Sequence, residues 1–393
     1  MFSYPLRELA ILFLKLGTIG FGGPAAHIAM MENEVVTRRE WLTREQFLDV
    51  VGATNLIPGP NSTEMAIHVG YLYAGLPGLI VAGACFIFPA VTITAILAWL
   101  YQSFGTLPQL TPLLYGIKPA ILAVIFGALW RLGKKAIKNR QLLTIGLGVI
   151  PLLLLGINEV IALLIGGIIG GIWLQLTTDK KQPPNSATEI VIGSLTMGTI
   201  MKAIAAQTNS SITPPLWQLG VFFLKVGSVL FGSGYVLIAF LEGEVVNKYH
   251  WLSQQQLLDA IAIGQFTPGP VLSTSTFIGY LISGVPGAIV ATLGIFLPSF
   301  VFVAALNPLV TKLRQSSWTS SFLDAVNVSS VALMVVVTLK LAQATLIKPI
   351  ANIPFDPVAT MITAMAAILL LRFKLNSAWL VLGGAALGYL FTF

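Results

Sequence analysis

Long apolar runs separated by short polar stretches make up most of this chain. The clearest runs cover residues 79–101, 119–132, 160–176, 216–241, 288–306 and 378–393. Several of them approach or exceed the ~20 residues that an α-helix needs to cross a bilayer. The pattern therefore predicts an all-α polytopic membrane protein with about 10–13 transmembrane segments.

Composition excludes a chain made of soluble domains. Apolar residues account for 56% of the sequence and charged residues for 9%, and the mean hydropathy is +0.86. A soluble domain contains roughly 25% charged residues. The net charge of +7 does not indicate a nucleic-acid partner, because the basic residues lie in short loops between apolar runs, where the positive-inside rule places them.

One sequence unit occurs twice in this apolar chain. The first copy contains Phe-Gly-Gly-Pro at residues 21–24, Trp-Leu-Thr at 41–43 and Pro-Gly-Pro at 58–60. The second copy contains Phe-Gly-Ser-Gly at 231–234, Trp-Leu-Ser at 251–253 and Pro-Gly-Pro at 268–270, each 210 positions later. Two copies of a unit with interrupted apolar segments are typical of membrane transporters built from repeats.

The repeat divides the chain into two homologous halves. We assign residues 1–178 to the first repeat, 179–214 to a linker with an extra crossing at 190–206, and 215–393 to the second repeat. Basic residues at 131–140 follow the fourth segment of the first half, whereas Lys312 and Arg314 follow the third segment of the second half. Since Lys and Arg prefer the cytoplasmic side, this change of parity predicts an inverted repeat, although Lys340 and Lys348 do not fit it.

The Pro-Gly-Pro stretches predict helices that are broken inside the membrane. Proline removes a backbone donor and glycine allows unusual dihedral angles, and irregular backbone in a membrane is tolerated only where it is buried or lines a cavity. Hydroxyl and amide side chains follow each break, and an exposed helix N-terminus attracts anions. A purely structural kink is the alternative, which the recurrence at matching positions disfavours. The predicted anion-binding residues are Pro58, Gly59, Pro60, Asn61, Ser62, Thr63, Pro268, Gly269, Pro270, Ser273 and Thr274.

The glycine-rich stretches allow two interpretations. Small residues let helices pack closely, but their position inside the first segment of each half also permits a second broken helix that faces the first. On the second interpretation Phe21, Gly22, Gly23, Gly232 and Ser233 belong to the anion site.

Two lysines recur inside apolar runs at the same position of the repeat. An ionisable group within a membrane is costly and usually functional, so Lys15 and Lys225 are predicted to contact the anion. The alternative is that they reach the membrane surface with their long side chains.

Six further residues are candidates for carrying a coupling proton. Glu32, Glu34, Glu242 and Glu244 follow the glycine breaks; they could instead pair with the lysines or form a solvated face beside Arg38 and Arg39. Glu64 and His68 lie four residues apart, on one helix face, and could relay protons because histidine titrates near neutral pH. A polar contact between helices is the alternative for this pair.

These motifs resemble the chromate ion transporter family, in particular its long two-domain members. The resemblance covers residues from about 9 to 389 and depends on Gly20-Phe21-Gly22-Gly23-Pro24, Trp41-Leu42-Thr43, Pro58-Gly59-Pro60-Asn61, Phe231-Gly232-Ser233-Gly234-Tyr235, Gly264–Pro270 and Phe296–Phe300. It implies a plasma-membrane carrier that exports chromate and gives chromate resistance, with two halves of opposite orientation. Coupling to the proton-motive force and competition by sulfate are also implied.

The sequence indicates a secondary transporter and not an enzyme. Three scattered histidines and the single cysteine, Cys85, form no metal-ligand cluster, and no nucleophile or nucleotide-binding motif is present, so we expect no metal and no cofactor. We expect alternating access to one oxyanion held between the two Pro-Gly-Pro breaks. A carrier of another oxyanion such as sulfate and an anion channel are the alternatives. We expect membrane lipid to surround the chain, and a second copy of the chain could bind to it as a homodimer.

Overall fold

The computed structural model describes residues 4–21, 23–104, 111–178, 214–306, 316–347, 355–373 and 375–392. The first half contains α1 (Tyr4–Ile19), α2 (Pro24–Glu32), α3 (Arg44–Thr54), α4 (Asn61–Phe104), α5 (Thr111–Ala136), α6 (Arg140–Leu154) and α7 (Glu159–Thr178). The second half contains α8 (Leu216–Val229), α9 (Leu237–Phe240), α10 (Gln254–Phe266), α11 (Thr274–Leu306), α12 (Ser317–Leu346), α13 (Pro357–Phe373) and α14 (Ser377–Thr392). Each helix of the first half has a counterpart in the second, which confirms an all-α fold with two homologous halves.

The linker and its proposed crossing at 190–206 lie almost entirely outside the described residues. The boundaries of the two repeats therefore stay predictions. Gly22, Lys312, Arg314 and Lys348 also lie outside the part of the chain that the structure describes.

The sequence dictates the same local geometry in both halves. The chain continues from α2 and α9 into π-helical turns at Asn33–Arg38 and Leu241–Lys248. Thr43 and Ser253 then begin α3 and α10 with capping boxes. In each box the hydroxyl oxygen accepts a hydrogen bond from the backbone N–H of the third helical residue, a glutamine, and the side-chain oxygen of that glutamine accepts one from the backbone N–H of the Thr or Ser. These boxes explain the repeated Trp-Leu-Thr/Ser motif, since a Ser/Thr-x-x-Gln pattern starts a helix.

Each Pro-Gly-Pro break lies at the inner end of a helix hairpin that enters and leaves on the same side. Tyr73, in the first part of α4, donates to Glu8 of α1 at 2.8 Å and stacks on Trp41, which precedes α3, with ring centroids 4.0 Å apart. The outer ends of these segments therefore lie together. The chain then reverses at Gly75 (φ 62°), and at Gly284 (φ 61°) in the second half, a backbone conformation that glycine adopts without steric cost.

The two halves are inverted relative to each other, as the contacts of α5 and α12 show. These two helices hold equivalent positions in the repeat. Lys138, just after α5, lies 2.7 Å from Asp324 near the beginning of α12. At the other end, Lys118 near the beginning of α5 lines the same cavity as Thr345 near the end of α12. Equivalent helices that run antiparallel require opposite orientations of the two halves, so the predicted inversion is confirmed.

The halves are also interlocked. Helices α6 and α7 pack against α12 of the second half, and α13 and α14 pack against α5 of the first half. The long helices α4 and α11 pack against each other across the contact between the halves. Because each half covers the central helix of the other, the two repeats form one continuous body.

The described helices suit a membrane. Five of them are long and apolar enough to cross it, and four shorter apolar helices accompany these. Large apolar side chains lie on the outer surface, among them Phe88 (63% exposed), Leu293 (61%) and Trp379 (69%). An extensive apolar surface of this kind is stable against lipid and not against water.

Candidate functional site

The two Pro-Gly-Pro breaks and the two glycine-rich breaks meet where the two halves contact each other. The backbone N–H of Gly59 donates to the carbonyl of Leu230 at 2.8 Å, and that of Gly269 donates to the carbonyl of Gly20 at 2.7 Å. These two bonds are equivalent under the repeat. Each Pro-Gly-Pro break is thus bound to the glycine-rich break of the other half, so the second interpretation of the glycine-rich stretches, as broken helices that face the first, matches the geometry.

A small cavity lies between these breaks. Its volume is about 10 Å³, which is about the space needed for one water molecule. A tetrahedral oxyanion is larger than a water molecule, so the centre is closed in this conformation. Its lining is Pro24, His27, Pro60, Ser62, Ser233, Gly234, Tyr235, Val271 and Leu272.

A larger cavity leads from the first Pro-Gly-Pro break toward the ends of α5 and α12 that hold Lys138 and Asp324. We call it the basic-side vestibule; it has a volume of about 380 Å³ and is lined by Asn55, Asn61, Lys135, Lys138, Asp324 and Asn327, among others. Asn61 Nδ2 donates to Asn55 Oδ1 at 3.2 Å, and Lys135 Nζ approaches the same oxygen at 3.4 Å. Lys138 is neutralised by Asp324, whereas no carboxylate pairs with Lys135 among the described residues.

The equivalent region on the opposite side holds a smaller cavity. The cavity that Lys118 and Thr345 line there measures about 160 Å³, and its lining includes neither the second Pro-Gly-Pro break nor the residues that flank it, whereas the vestibule is lined by both neighbours of the first break, Ile57 and Asn61. Tyr101 donates to Asp259 at 2.8 Å and Tyr235 donates to Gln265 at 3.3 Å. These bonds join the two halves and the two hairpins of the second half on the side where a second vestibule would open.

The polar residues after the first break occupy different surroundings. Asn61 faces the vestibule, while Ser62 lines the central cavity. Thr63 is fully buried, and its hydroxyl has no partner in the part of the chain that is described. The backbone N–H groups of Thr63 and Glu64 donate to the Pro60 carbonyl. At the N-terminus of α4, the N–H groups of the residues before Thr63, Asn61 and Ser62, therefore face the break.

The hydroxyl groups after the second break have hydrogen-bond partners, one in the other half and one nearby in the chain. Ser273 Oγ accepts from Thr94 Oγ1 at 3.3 Å, and Thr274 Oγ1 donates to the Val271 carbonyl at 2.8 Å. Pro268, Gly269 and Pro270 are buried. The two breaks thus make the same backbone bond to the other half but differ in side-chain chemistry.

Glu64 lies behind the first break. It is 0% exposed, and neither carboxyl oxygen has a hydrogen-bond partner among the described residues. A Cβ atom added to Gly59 would collide with Glu64 Oε1 and Ser299 Oγ, so the carboxyl group lies against the backbone of the break. His68, one turn further along α4, is also buried.

Lys15 and Lys225 form equivalent ion pairs with the glutamates of the π-helical turns. Lys15 Nζ lies 2.8 Å from Glu34, and Lys225 Nζ lies 2.5 Å from both oxygens of Glu244. Of the interpretations that the sequence left open, pairing between these lysines and glutamates is the one that the geometry matches.

The remaining predicted acids also have basic or polar neighbours. Glu34 lies outside the membrane-spanning helices, and the hydrogen bond from Lys15 lowers its pKa. Glu32 lies 3.7 Å from Arg44, and Glu242 accepts from Asn247 at 2.7 Å and lies 3.6 Å from Lys340.

Several residues at these cavities were not identified from the sequence. Asn55 and Lys135 face the vestibule, Ser299 adjoins Glu64, and His27 lines the central cavity. Lys135 belongs to a basic cluster that the positive-inside rule explains without any role in binding. Asn55 lies three residues before Pro58, and this proximity to the break is the feature from which the sequence could have identified it.

Comparison with known proteins identifies relatives over almost the whole chain. A family model described as "Chromate transporter" matches residues 7–171 and 217–389. A chromate transport protein of Cupriavidus metallidurans is 33% identical over 98% of this chain and 92% of its own length. A probable chromate transport protein of Synechococcus elongatus is 31% identical (84% and 82%), and an uncharacterized transporter of Methanocaldococcus jannaschii is 27% identical (96% and 92%). No solved structure matches the chain.

Proposed function

The chain belongs to the chromate transporter family, and from this premise we propose that it is a secondary active carrier that exports chromate across the plasma membrane by alternating access. The family is one of transport proteins, and the described helices form a multi-pass membrane protein. The carrier mechanism, the export direction and the driving force are the parts that we propose.

The observation that supports alternating access most strongly is the difference between two equivalent cavities. The basic-side vestibule of about 380 Å³ reaches Ile57 and Asn61, the residues that flank the first break, whereas its counterpart of about 160 Å³ does not reach the residues that flank the second. An inverted repeat allows the two halves to exchange these conformations, which would close the first cavity and open the second. A central site that is closed between them fits a carrier, since a channel in its conducting state needs a continuous path.

The vestibule suits the capture of an oxyanion. Its amide groups on Asn55, Asn61 and Asn327 can donate hydrogen bonds, and Lys135 supplies a positive charge that no described carboxylate neutralises. The N-terminus of α4 adds backbone N–H groups and the positive end of a helix dipole. Several converging donors favour a tetrahedral dianion over chloride, because each oxygen can accept its own bond.

The export direction follows from charge. The basic side carries Arg131, Lys134, Lys135, Lys138 and Arg140, and the positive-inside rule assigns this side to the cytoplasm. The vestibule would then load from the cytoplasm. A membrane potential that is negative inside drives an anion outward by about 2.3 kcal/mol per charge per 100 mV.

We assign proton binding during the cycle to Glu64, with His68 one turn away. A buried carboxylate without a partner is strongly disfavoured, so Glu64 in this conformation is best stabilised by a bound proton. Opening of the break toward either side would bring water to the carboxyl group and allow the proton to leave.

Flux measurements with purified protein in sealed vesicles test this function. We expect saturable transport of labelled chromate that responds to an imposed pH gradient, and preloaded unlabelled chromate should accelerate labelled uptake. The Glu64→Gln variant should keep this exchange and respond less strongly to the pH gradient than the unaltered protein does. Flux without acceleration by preloaded anion would indicate a channel, and sulfate flux without chromate flux would keep the site but change the substrate.

A further inference from the structure

We propose that His27 binds the transported anion in the central cavity and that each anion enters this cavity together with one proton, shared between the imidazole ring and the anion. This inference rests on the proposed transport function and specifies the number of protons that accompany the anion at the centre. It concerns a residue that the sequence analysis did not assign to the site.

The hydrogen bond to Gly20 fixes which ring nitrogen carries hydrogen in the neutral imidazole. His27 Nε2 lies 2.9 Å from the carbonyl oxygen of Gly20. A carbonyl oxygen can only accept, so Nε2 must be the donor, and Nδ1 is left with a lone pair. Nδ1 is buried and has no partner within the described chain, although the histidine is only 1% exposed.

The ring is held rigidly at the meeting point of the breaks. Gly20 binds both His27 and the backbone N–H of Gly269, so the ring is fixed to the bond that joins the two halves. Phe86 packs edge-on against it with centroids 5.5 Å apart. His27 also shares the lining of the central cavity with Ser62 and Ser233. Any ion that passes between the breaks therefore meets this ring.

The unpartnered Nδ1 determines what the cavity accepts. A lone pair repels the oxygens of a dianion, because both groups can only accept hydrogen bonds. One added proton removes the conflict: an N–H bond forms at Nδ1 and the hydrogen points to an anion oxygen, or the proton stays on the anion and the O–H donates to Nδ1. In both arrangements the complex contains one anion and one additional proton, which the aqueous phase supplies.

The neighbouring ionisable groups leave this role to His27. On α4, Glu64 lies against Gly59 and Ser299, and His68 follows one turn later. On the 3₁₀ turn Gly234–Val236, which also lines the central cavity, Tyr235 donates its hydroxyl hydrogen to Gln265. On α1, Lys15 is paired with Glu34.

Proton uptake on chromate binding tests the proposal. Purified protein in detergent would be mixed with chromate in weakly buffered solution at alkaline pH, where free chromate is a dianion, with a pH-sensitive dye as readout. We expect uptake of about one proton per bound anion, and an apparent affinity that falls about tenfold per pH unit, the slope for one linked proton. Binding of radiolabelled chromate by equilibrium dialysis supplies the stoichiometry.

Two substitutions remove the titration but retain a donor. The amide of His27→Asn lies near the position of Nδ1 and donates without a proton change; we expect chromate binding with little proton uptake and less than about twofold change in affinity per pH unit. His27→Gln reaches toward Nε2, can keep the bond to Gly20, and should also take up no proton, so it serves if the asparagine variant does not fold. His250→Asn is the matched control, because His250 is exposed and has φ 53°, which asparagine tolerates.

The outcomes separate this inference from the proposed function. Loss of proton uptake in both His27 variants, with uptake retained in His250→Asn, supports it. Proton uptake that persists in His27→Asn, or chromate binding by the unaltered protein without proton uptake, overturns it and leaves the carrier function intact. Absence of chromate binding and exchange in the unaltered protein would overturn the proposed function and this inference together.

Discussion

Replacing Glu244 by glutamine is expected to destabilise the protein more than replacing Glu34, although the two residues are equivalent in the repeat. The side chains of Lys225 and Glu244 are 20% and 1% exposed. Those of Lys15 and Glu34 are 46% and 8% exposed. Glu34 also pairs with Arg38 and Arg39, at 3.0 and 3.4 Å, and Glu244 also accepts from Asn158 at 3.3 Å. Burial is therefore the main variable, and not the only one, that separates the energies of the two sites.

The expected magnitudes follow from that burial. Breaking a buried ion pair by removing one partner costs about 3–5 kcal/mol, because the other charge is left without compensation. Two features reduce this cost. Lys225 keeps some exposure to solvent, and Glu159, which lies against Gly243 beside Glu244, leaves a second carboxyl group near the lysine. We therefore expect Glu244→Gln to lower the free energy of unfolding by about 2–3 kcal/mol. Exposed pairs contribute about 0–1 kcal/mol, and we expect Glu34→Gln to cost no more than about 1 kcal/mol.

Equilibrium unfolding in mixed micelles, followed by tryptophan fluorescence, would measure both variants. A double variant, Lys225→Met with Glu244→Gln, tests the electrostatic cause, because removing both charges leaves no uncompensated ion. We expect this double variant to be more stable than Glu244→Gln alone, giving a favourable coupling in a double-mutant cycle. Equal costs for Glu34→Gln and Glu244→Gln, or a double variant that is the least stable of all, would refute the reasoning.

Two predictions concern the vestibule. Lys135→Gln should raise the KM for chromate about fivefold with little change in kcat, which corresponds to the ~1 kcal/mol of a partly exposed charge contact; Lys134→Gln, whose amine packs over Trp130 at 4.9 Å, is the control and should change the KM less than about twofold. Replacing Asn61 together with Thr63 by alanine should abolish chromate flux while the amount of protein in the membrane stays the same, as vesicle flux and quantitative immunoblotting would show. Unchanged flux in that double variant would remove these residues from the site.

The repeat and the breaks could be predicted from the sequence because both depend on local chemistry. Two prolines on either side of a glycine, as at Pro58, Gly59 and Pro60, disrupt a regular helix, and the recurrence of the same pattern predicted two homologous halves. The course of the chain beyond each break could not be predicted. Tyr73 contacts Glu8 from 65 residues away, and this long-range bond, not the local pattern, shows that the hairpin returns to its starting side.

The ion pairs show a second limit of the sequence. Lys15 and Lys225 were recognised as charges inside apolar runs, and Glu34 and Glu244 as acids near the breaks. The pairing spans 19 residues in each half. Neither helical nor strand periodicity relates such positions. The π-helical turns, which insert an extra residue per turn, aim the glutamates at the lysines, and no sequence motif marks these turns.

Helix α5 carries a cation for each side of the membrane, and this distinguishes it from its counterpart α12. Lys135 lies in the basic-side vestibule and Lys118 lies in the smaller cavity on the opposite side. The equivalent positions on α12 hold Ala344 and Asn327, so the structural symmetry of the cavities is not matched by symmetric charge. One helix of the first half can therefore attract the anion first at one end and then at the other as the halves move.

This arrangement predicts a sidedness that flux measurements can detect. In vesicles with the protein inserted in one orientation, Lys118→Gln should raise the KM for chromate presented on the side opposite the basic cluster and leave the KM on the basic side unchanged. Lys135→Gln should have the reverse effect, because each cation is more than a Debye length, about 8 Å at physiological salt, from the other vestibule. Equal effects of both variants on both sides would mean that the two lysines act on the fold or on one shared site, and the asymmetry of α5 would then have no part in transport.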